Sequence, residues 1–299
     1  MPAEALITRR DIDFSRPFFP ARLTPLAHVP SWGMLDECHR LRYSQLYALY
    51  LNEQTVYFEE LLATNVLPAL YQRSDRIGTD LAEDLRRFEA EERQHSRWFR
   101  ELNHRVDPSR FRLEEGNYVF IPMDARMRAV STWFARRPFL FPCWIPLMLL
   151  LEERSIAVAR ECLRKENRLE PAFSQLHRKH LADEVDHVRW DLKLIERVWL
   201  PMPKWQRRLQ ARLFGAMMSE FFTVPKRGGK AVLQALIDEF PELKPNGVSL
   251  HRELGDLATS RAYHASLYSR EFTPRAFALF DELPEFHDIG RNLLAYERP

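Results

Sequence analysis

His180, Glu184 and His187 share one face wherever the chain around them is helical, because 3.6 residues per turn stack positions three, four and seven apart. Two imidazoles and a carboxylate pointing into one space make a metal-site geometry. A single helix cannot close such a site, so matching positions have to come from elsewhere in the chain. Glu92 and His95, again three apart and about ninety residues earlier, supply them. Each Glu-x-x-His pair lies on a predicted helix that follows another helix in which glutamates interrupt apolar residues. These are Glu59 and Glu60 in the first half, and Glu152 and Glu153 in the second.

That order, glutamate helix, Glu-x-x-His helix, crossover, glutamate helix, Glu-x-x-His helix, is what a dinuclear iron or manganese site in a four-helix bundle requires. One Glu-x-x-His means little in a chain with 42 acidic residues and 10 histidines, but two at equivalent places carry weight. Alone, Glu92 in its charged run would read as a solvated face and His187 as an ordinary core histidine. Asp183, Asp186 and Arg189 are expected to be exposed charges. Burying four carboxylates without cations is prohibitive, whereas two divalent ions would balance them.

The paired glutamates leave a choice in each half. Glu152 shares its face with Ile145, Met148, Leu149, Ile156, Ala159 and Leu163, while the face of Glu153 runs on to Arg160 and Arg164, which favours Glu152. Glu59 shares a face with Thr55, Val56, Leu62, Ala63, Val66 and Leu70, and Glu60 with Glu53, Tyr57 and Thr64. That choice is closer. Equivalence of the two halves, each using the first glutamate of its pair, favours Glu59.

The remaining chain is expected to be helical as well. Only 9 glycines stand against abundant Leu, Arg, Glu and Ala, which predicts an all-α fold. Residues 1–33, punctuated by Pro2, Pro17, Pro20, Pro25 and Pro30, read as an extended N-terminal arm. Residues 34–200 read as the bundle, with helices near 34–71, 73–106, 144–165 and 171–200. A crossover fills 107–140, including a possible extended piece at 118–121 and a short helix at 127–135. Residues 201–299 read as a C-terminal helical extension packed on the bundle within one domain overall, with segments near 205–222, 230–239, 250–269 and 274–282.

Charge and cysteine content narrow the function. The 44 basic and 42 acidic residues leave a net charge of +2, so nothing argues for nucleic acid or an anionic membrane surface. Cys38, Cys143 and Cys162 form no Cys-x-x-Cys, which fits a reducing cytoplasm. The first residues lack the apolar stretch of a signal peptide, and no uncharged run reaches membrane-spanning length. No glycine-rich dinucleotide motif appears, so an external electron donor is expected.

With these residues in view, the chain resembles the dinuclear-iron arylamine N-oxygenases, typified by the p-aminobenzoate N-oxygenase of aureothin biosynthesis. In that family the last ligand helix carries an additional histidine one turn before its Glu-x-x-His, a place that His180 fills. The resemblance spans about residues 40–200. It implies a ferritin-like four-helix bundle whose metal ligands fall on Glu59, Glu92, His95, Glu152, His180, Glu184 and His187. It also implies two iron ions, with manganese as an alternative metal, and O2 as co-substrate. The expected activity is N-oxygenation of an amine or arylamine, a small-molecule substrate, by a homodimer, with no catalytic residue beyond the metal ligands. Other diiron oxidations (C-hydroxylation, desaturation, aldehyde oxidation) and a ferritin-like iron-storage role are the competing expectations. About a hundred residues beyond the fourth helix fit an enzyme with a covered pocket better than a storage bundle.

Overall fold

The computed structural model describes residues 12–121, 124–223 and 226–298, and among them there are helices and turns but no strand. The first bundle helix, α1 (Glu37–Leu61), is buried over most of its surface, with Leu46, Leu49, Val56 and Phe58 in the core beside the polar Asn52, Glu53 and Glu59. At Leu62–Val66 its ladder widens into a π turn before α2 (Leu67–Tyr71) continues the path. Pro68 lacks the N–H that a regular ladder would need at that point, which accounts for the change of register.

The second predicted helix divides. A short α3 (Ser74–Ile77) ends at Gly78, whose φ of 86° lies where side chains are disfavoured, and α4 (Thr79–Val106) starts there in a new direction. A Cβ at Gly78 would also meet Arg197 Nη1 at 2.7 Å. The crossover contains α5 (Ala125–Ala135). Residues 118–121 form no strand. They are a loop held by Glu53, which accepts hydrogen bonds from the N–H groups of Val119 at 2.6 Å and Phe120 at 2.8 Å. The second pair of bundle helices is α6 (Trp144–Cys162) and α7 (Pro171–Leu194), and α7 also runs into a π turn, Ile195–Trp199.

α1 packs against α4, α6 against α7, and α4 against α7, which closes an all-α bundle of the ferritin-like kind. A buried amide pair joins the first two: Asn52 donates to Asn103 at 2.8 Å, and Asn103 donates to the Leu49 carbonyl at 2.9 Å.

The N-terminal segment differs from the extended arm expected of it; residues 1–11 of that reading lie outside the described part. Ala21–Leu23, Pro25–His28 and Pro30–Met34 are successive 3-10 turns, because Pro20, Pro25 and Pro30 each set the φ at which a turn begins. The segment is packed rather than loose. Phe18 stacks on Phe173 of α7 with ring centroids 4.3 Å apart, and Ser44 of α1 accepts from the Phe19 N–H at 3.1 Å.

Beyond the bundle come α8 (Lys204–Met217), α9 (Arg227–Glu239), α10 (Gly247–Asp256), α11 (Arg261–Leu267) and α12 (Pro274–Glu282). The segment expected at 250–269 is thus two helices, with Ser260 capping the second by accepting from Tyr263 N–H at 3.3 Å. α9 lies on α1, and α12 lies on α6. No helix among the described residues is long and apolar enough to cross a membrane.

Candidate metal centre

All seven predicted ligand residues point into the bundle interior, and Glu184, His187 and His95 are 0% exposed. Each is delivered by helical periodicity: Glu59 by α1, Glu92 and His95 by α4, Glu152 by α6, and His180, Glu184 and His187 by one stripe of α7. Donor atoms of Glu92, His95, Glu184 and His187 all lie within 4.8 Å of one another, and so do those of Glu59, His95 and His180. Glu152 joins from the side, its Oε2 3.7 Å from His187 Nδ1.

The two glutamates that competed with these are engaged elsewhere. Glu60 takes a hydrogen bond from Tyr118 at 2.8 Å and pairs with Arg100. Glu153 turns outward from the cluster to the start of α12, where it accepts from the N–H groups of Arg275 at 3.0 Å and Ala276 at 2.8 Å.

The imidazoles are oriented by two carboxylates, Asp183 and Glu91. Nε2 of His95 donates to Asp183 at 3.0 Å, and Nε2 of His187 donates to Glu91 at 3.1 Å. Asp183 is only partly exposed, a correction to its reading as a free surface charge. Each bond crosses between α4 and α7 and leaves Nδ1 of the ring facing the cluster. Signals were present in the sequence: both acids immediately precede a glutamate of a Glu-x-x-His pair. His180 is held differently, by a 3.3 Å contact from Nδ1 to the Ser155 hydroxyl, with Nε2 3.1 Å from Glu59 and 2.6 Å from Glu184.

Electrostatics are unfavourable for these groups on their own. Burial, then the charges of Glu92 and Glu152, push the Glu59 carboxyl well above its ordinary value, and burial with Glu152 does the same to Glu184. Burial holds the His180 imidazole well below its usual range, so it is a neutral donor. Both carboxylate oxygens of Glu92, both of Glu184, and Nδ1 of His95 and His187 are buried with no hydrogen-bond partner. The short His180–Glu184 contact does not have hydrogen-bond geometry. Native interiors rarely leave such atoms unpaired, since each costs about 1–3 kcal/mol, more if charged. Oxygen and imidazole-nitrogen donors converging on one space are what an iron or manganese ion accepts, so the donor set fits a metal.

Family comparison gives the same answer from a different direction. The P-aminobenzoate N-oxygenase AurF family matches residues 7–239 of the chain. The chain belongs to the AurF family. The AurF match extends past the 40–200 expected from the residues, taking in the turns of the N-terminal segment, α8 and α9. Membership makes the chain an oxidoreductase of the diiron oxygenase class, one that acts on a small molecule and draws on an electron donor. A search of curated proteins found no match.

Two further features lie beside the cluster. Asp191, one turn beyond His187 on the same stripe of α7, is fully buried with both oxygens unpartnered, and burial together with Glu152 pushes its pKa well above normal. The stripe 180, 184, 187, 191 was visible in the sequence, but only its first three members fit a ligand pattern. The second feature is a partly open cavity of about 80 Å³ reached by Glu59, Glu152 and His180, whose walls include Thr55, Phe58, Phe99, Leu151 and Val158. A larger cavity of about 710 Å³ lies further out, and the two share Gln54, Phe58 and Phe222.

Proposed function

We propose that the chain oxidises the nitrogen of an arylamine, giving the hydroxylamine or nitro compound, at a two-iron centre held by Glu59, Glu92, His95, Glu152, His180, Glu184 and His187. The observation that carries this reading is the set of buried, unpartnered carboxylate oxygens and imidazole nitrogens of that cluster, beside a mostly apolar cavity. Manganese fits the same donors. Metal ions held by these residues would supply the redox chemistry that activates O2. Formation of a hydroxylamine places one oxygen atom on nitrogen and the other in water, with two electrons drawn from an external donor.

The protein's own groups do the positioning. Asp183 and Glu91 fix which ring nitrogen of His95 and His187 faces inward. The neutral His180 adds a nitrogen without adding charge. Phe88 stacks on His187 with centroids 3.9 Å apart, and Phe99 meets His180 edge-on at 5.0 Å, which keeps water from those rings. Apolar walls then admit an aromatic ring next to Glu59 and Glu152.

Anaerobic Fe(II) loading, followed by O2 and a panel of arylamines with mass spectrometry of products, tests the reading. Hydroxylamino or nitro products support it. Oxygen found on carbon would replace it with C-hydroxylation, and an iron mineral core with no oxygenated product would replace it with storage.

A further inference from the structure

The small cavity beside the cluster and the larger one outside it meet at a common wall. Gln54, Phe58 and Phe222 line both. Gln54 and Phe58 stand one turn apart on α1, and the Phe58 ring meets the Phe222 ring edge-on with centroids 5.9 Å apart. Phe222 closes the π turn Met218–Phe222 into which α8 runs. Such turns shift the register of the side chains that follow and recur at functional sites.

The two spaces differ in size. About 80 Å³ is close to half of the roughly 150 Å³ of an apolar cavity that holds one benzene. A ring set beside Glu59 and Glu152 therefore uses all of the inner space, and any bulky substituent has to continue outward. The outer cavity, at about 710 Å³, has the size of a small-molecule site, about 300–1,000 Å³.

Its walls also define what it can hold. Leu61, Val130, Phe134, Trp144 and Met217 are among them. The charged residues that border it, Asp124, Arg126, Glu220, Lys226 and Arg227, are all exposed, so charge is confined to the protein surface. Polar groups of the wall are engaged within it: Tyr57 donates to Ser131 at 2.9 Å, and Gln54 donates to the Phe221 carbonyl at 3.4 Å. A space of this kind suits an apolar body and would strip water from a polar one without repaying it.

We propose that the two cavities bind one elongated substrate, an arylamine whose nitrogen-bearing ring occupies the inner cavity and whose long apolar body passes Phe58 and Phe222 into the outer one. This deepens the functional reading above and rests on it, because it takes the inner cavity as the place of the reacting ring.

Calorimetric titration of the Fe(II)-loaded protein under anaerobic conditions, with 4-methylaniline, 4-butylaniline and 4-hexylaniline as probes, tests this without turnover. Affinity is expected to rise about fourfold for each methylene, the equivalent of about 0.8 kcal/mol per buried CH2, or on the order of 60-fold from methyl to butyl. Met217→Trp and Val130→Trp, which fill the outer cavity from two sides, are expected to cut the gain below about twofold per methylene. Both should bind 4-methylaniline as the wild-type protein does. A wild-type gain below about twofold per methylene, or a gain unchanged in both variants, overturns the two-cavity site. If Met217→Trp fails to fold, Val130→Trp still decides, since Val130 is 60% exposed and its replacement spares the core. A wall-dependent gain in a protein that gives no N-oxygenated product from any arylamine would overturn the N-oxygenation and leave the two-cavity site standing. N-oxygenated 4-methylaniline with no gain from chain length would do the reverse.

Discussion

Asp183 on α7 accepts a hydrogen bond from Nε2 of His95 on α4, at 3.0 Å. Its mirror is Glu91 on α4, which accepts from Nε2 of His187 on α7 at 3.1 Å. Each Glu-x-x-His helix thus carries the acid that orients the other helix's histidine. Folding the bundle and aiming the two Nδ1 atoms inward are one event.

Asp183→Asn and Glu91→Gln keep size but weaken the orienting bond. Metal affinity is expected to fall by about 10–100-fold in each, the usual cost of losing an outer-shell partner. Competitive chelator titration measures it. Unchanged affinity in both variants would remove the orienting role.

Glu152 and Glu153 are neighbours with opposite destinies. Glu152→Gln is expected to lower metal content with little change in the packing of α12. Glu153→Gln is expected to keep metal content but lose about 1 kcal/mol of stability, because it leaves the N–H groups of Arg275 and Ala276 short of an acceptor. Metal analysis and denaturant unfolding of the two proteins give opposite patterns if the assignment holds.

His180 belongs with Glu59 and His95, and is not among the four residues Glu92, His95, Glu184 and His187 that also converge. His180→Ala is expected to lower the metal stoichiometry towards one ion per chain while the second group still binds. Full retention of two ions would show that His180 is not a ligand.

Metal loading should depend on pH with a sign set by His187. In the metal-free chain burial opposes the charged ring, but Glu152 and Glu91 outweigh it and hold its pKa at about 10, above the ordinary 6.5. A group raised on folding contributes stability that is complete below about pH 6.5 and is lost as pH rises towards 10. The metal-free protein therefore weakens over that window, while metal binding, which must expel the same proton, strengthens. The raised Glu59 and Glu184 carboxyls act in the same direction. The gap in Tm between metal-loaded and metal-free protein should widen between about pH 6.5 and 9. A constant gap would contradict it.

What the sequence determined by itself was everything governed by spacing along one helix. Three- and four-residue intervals put His180, Glu184 and His187 on one stripe, paired Glu92 with His95, and required four helices in a given order, because a helix has a fixed period. The same period reaches no further than its own helix. It left Glu59 against Glu60 close, since neighbours differ by only about 100° and either can face inward. Tertiary contacts separate them: Arg100 and Tyr118 engage Glu60, and the start of α12, over a hundred residues away in the chain, engages Glu153. The turns of the N-terminal segment and the crossed bonds from Asp183 and Glu91 were likewise decided only by the fold. Whether an acid is solvated or bonded to a histidine depends on which helix packs opposite, and that is a property of the assembled bundle.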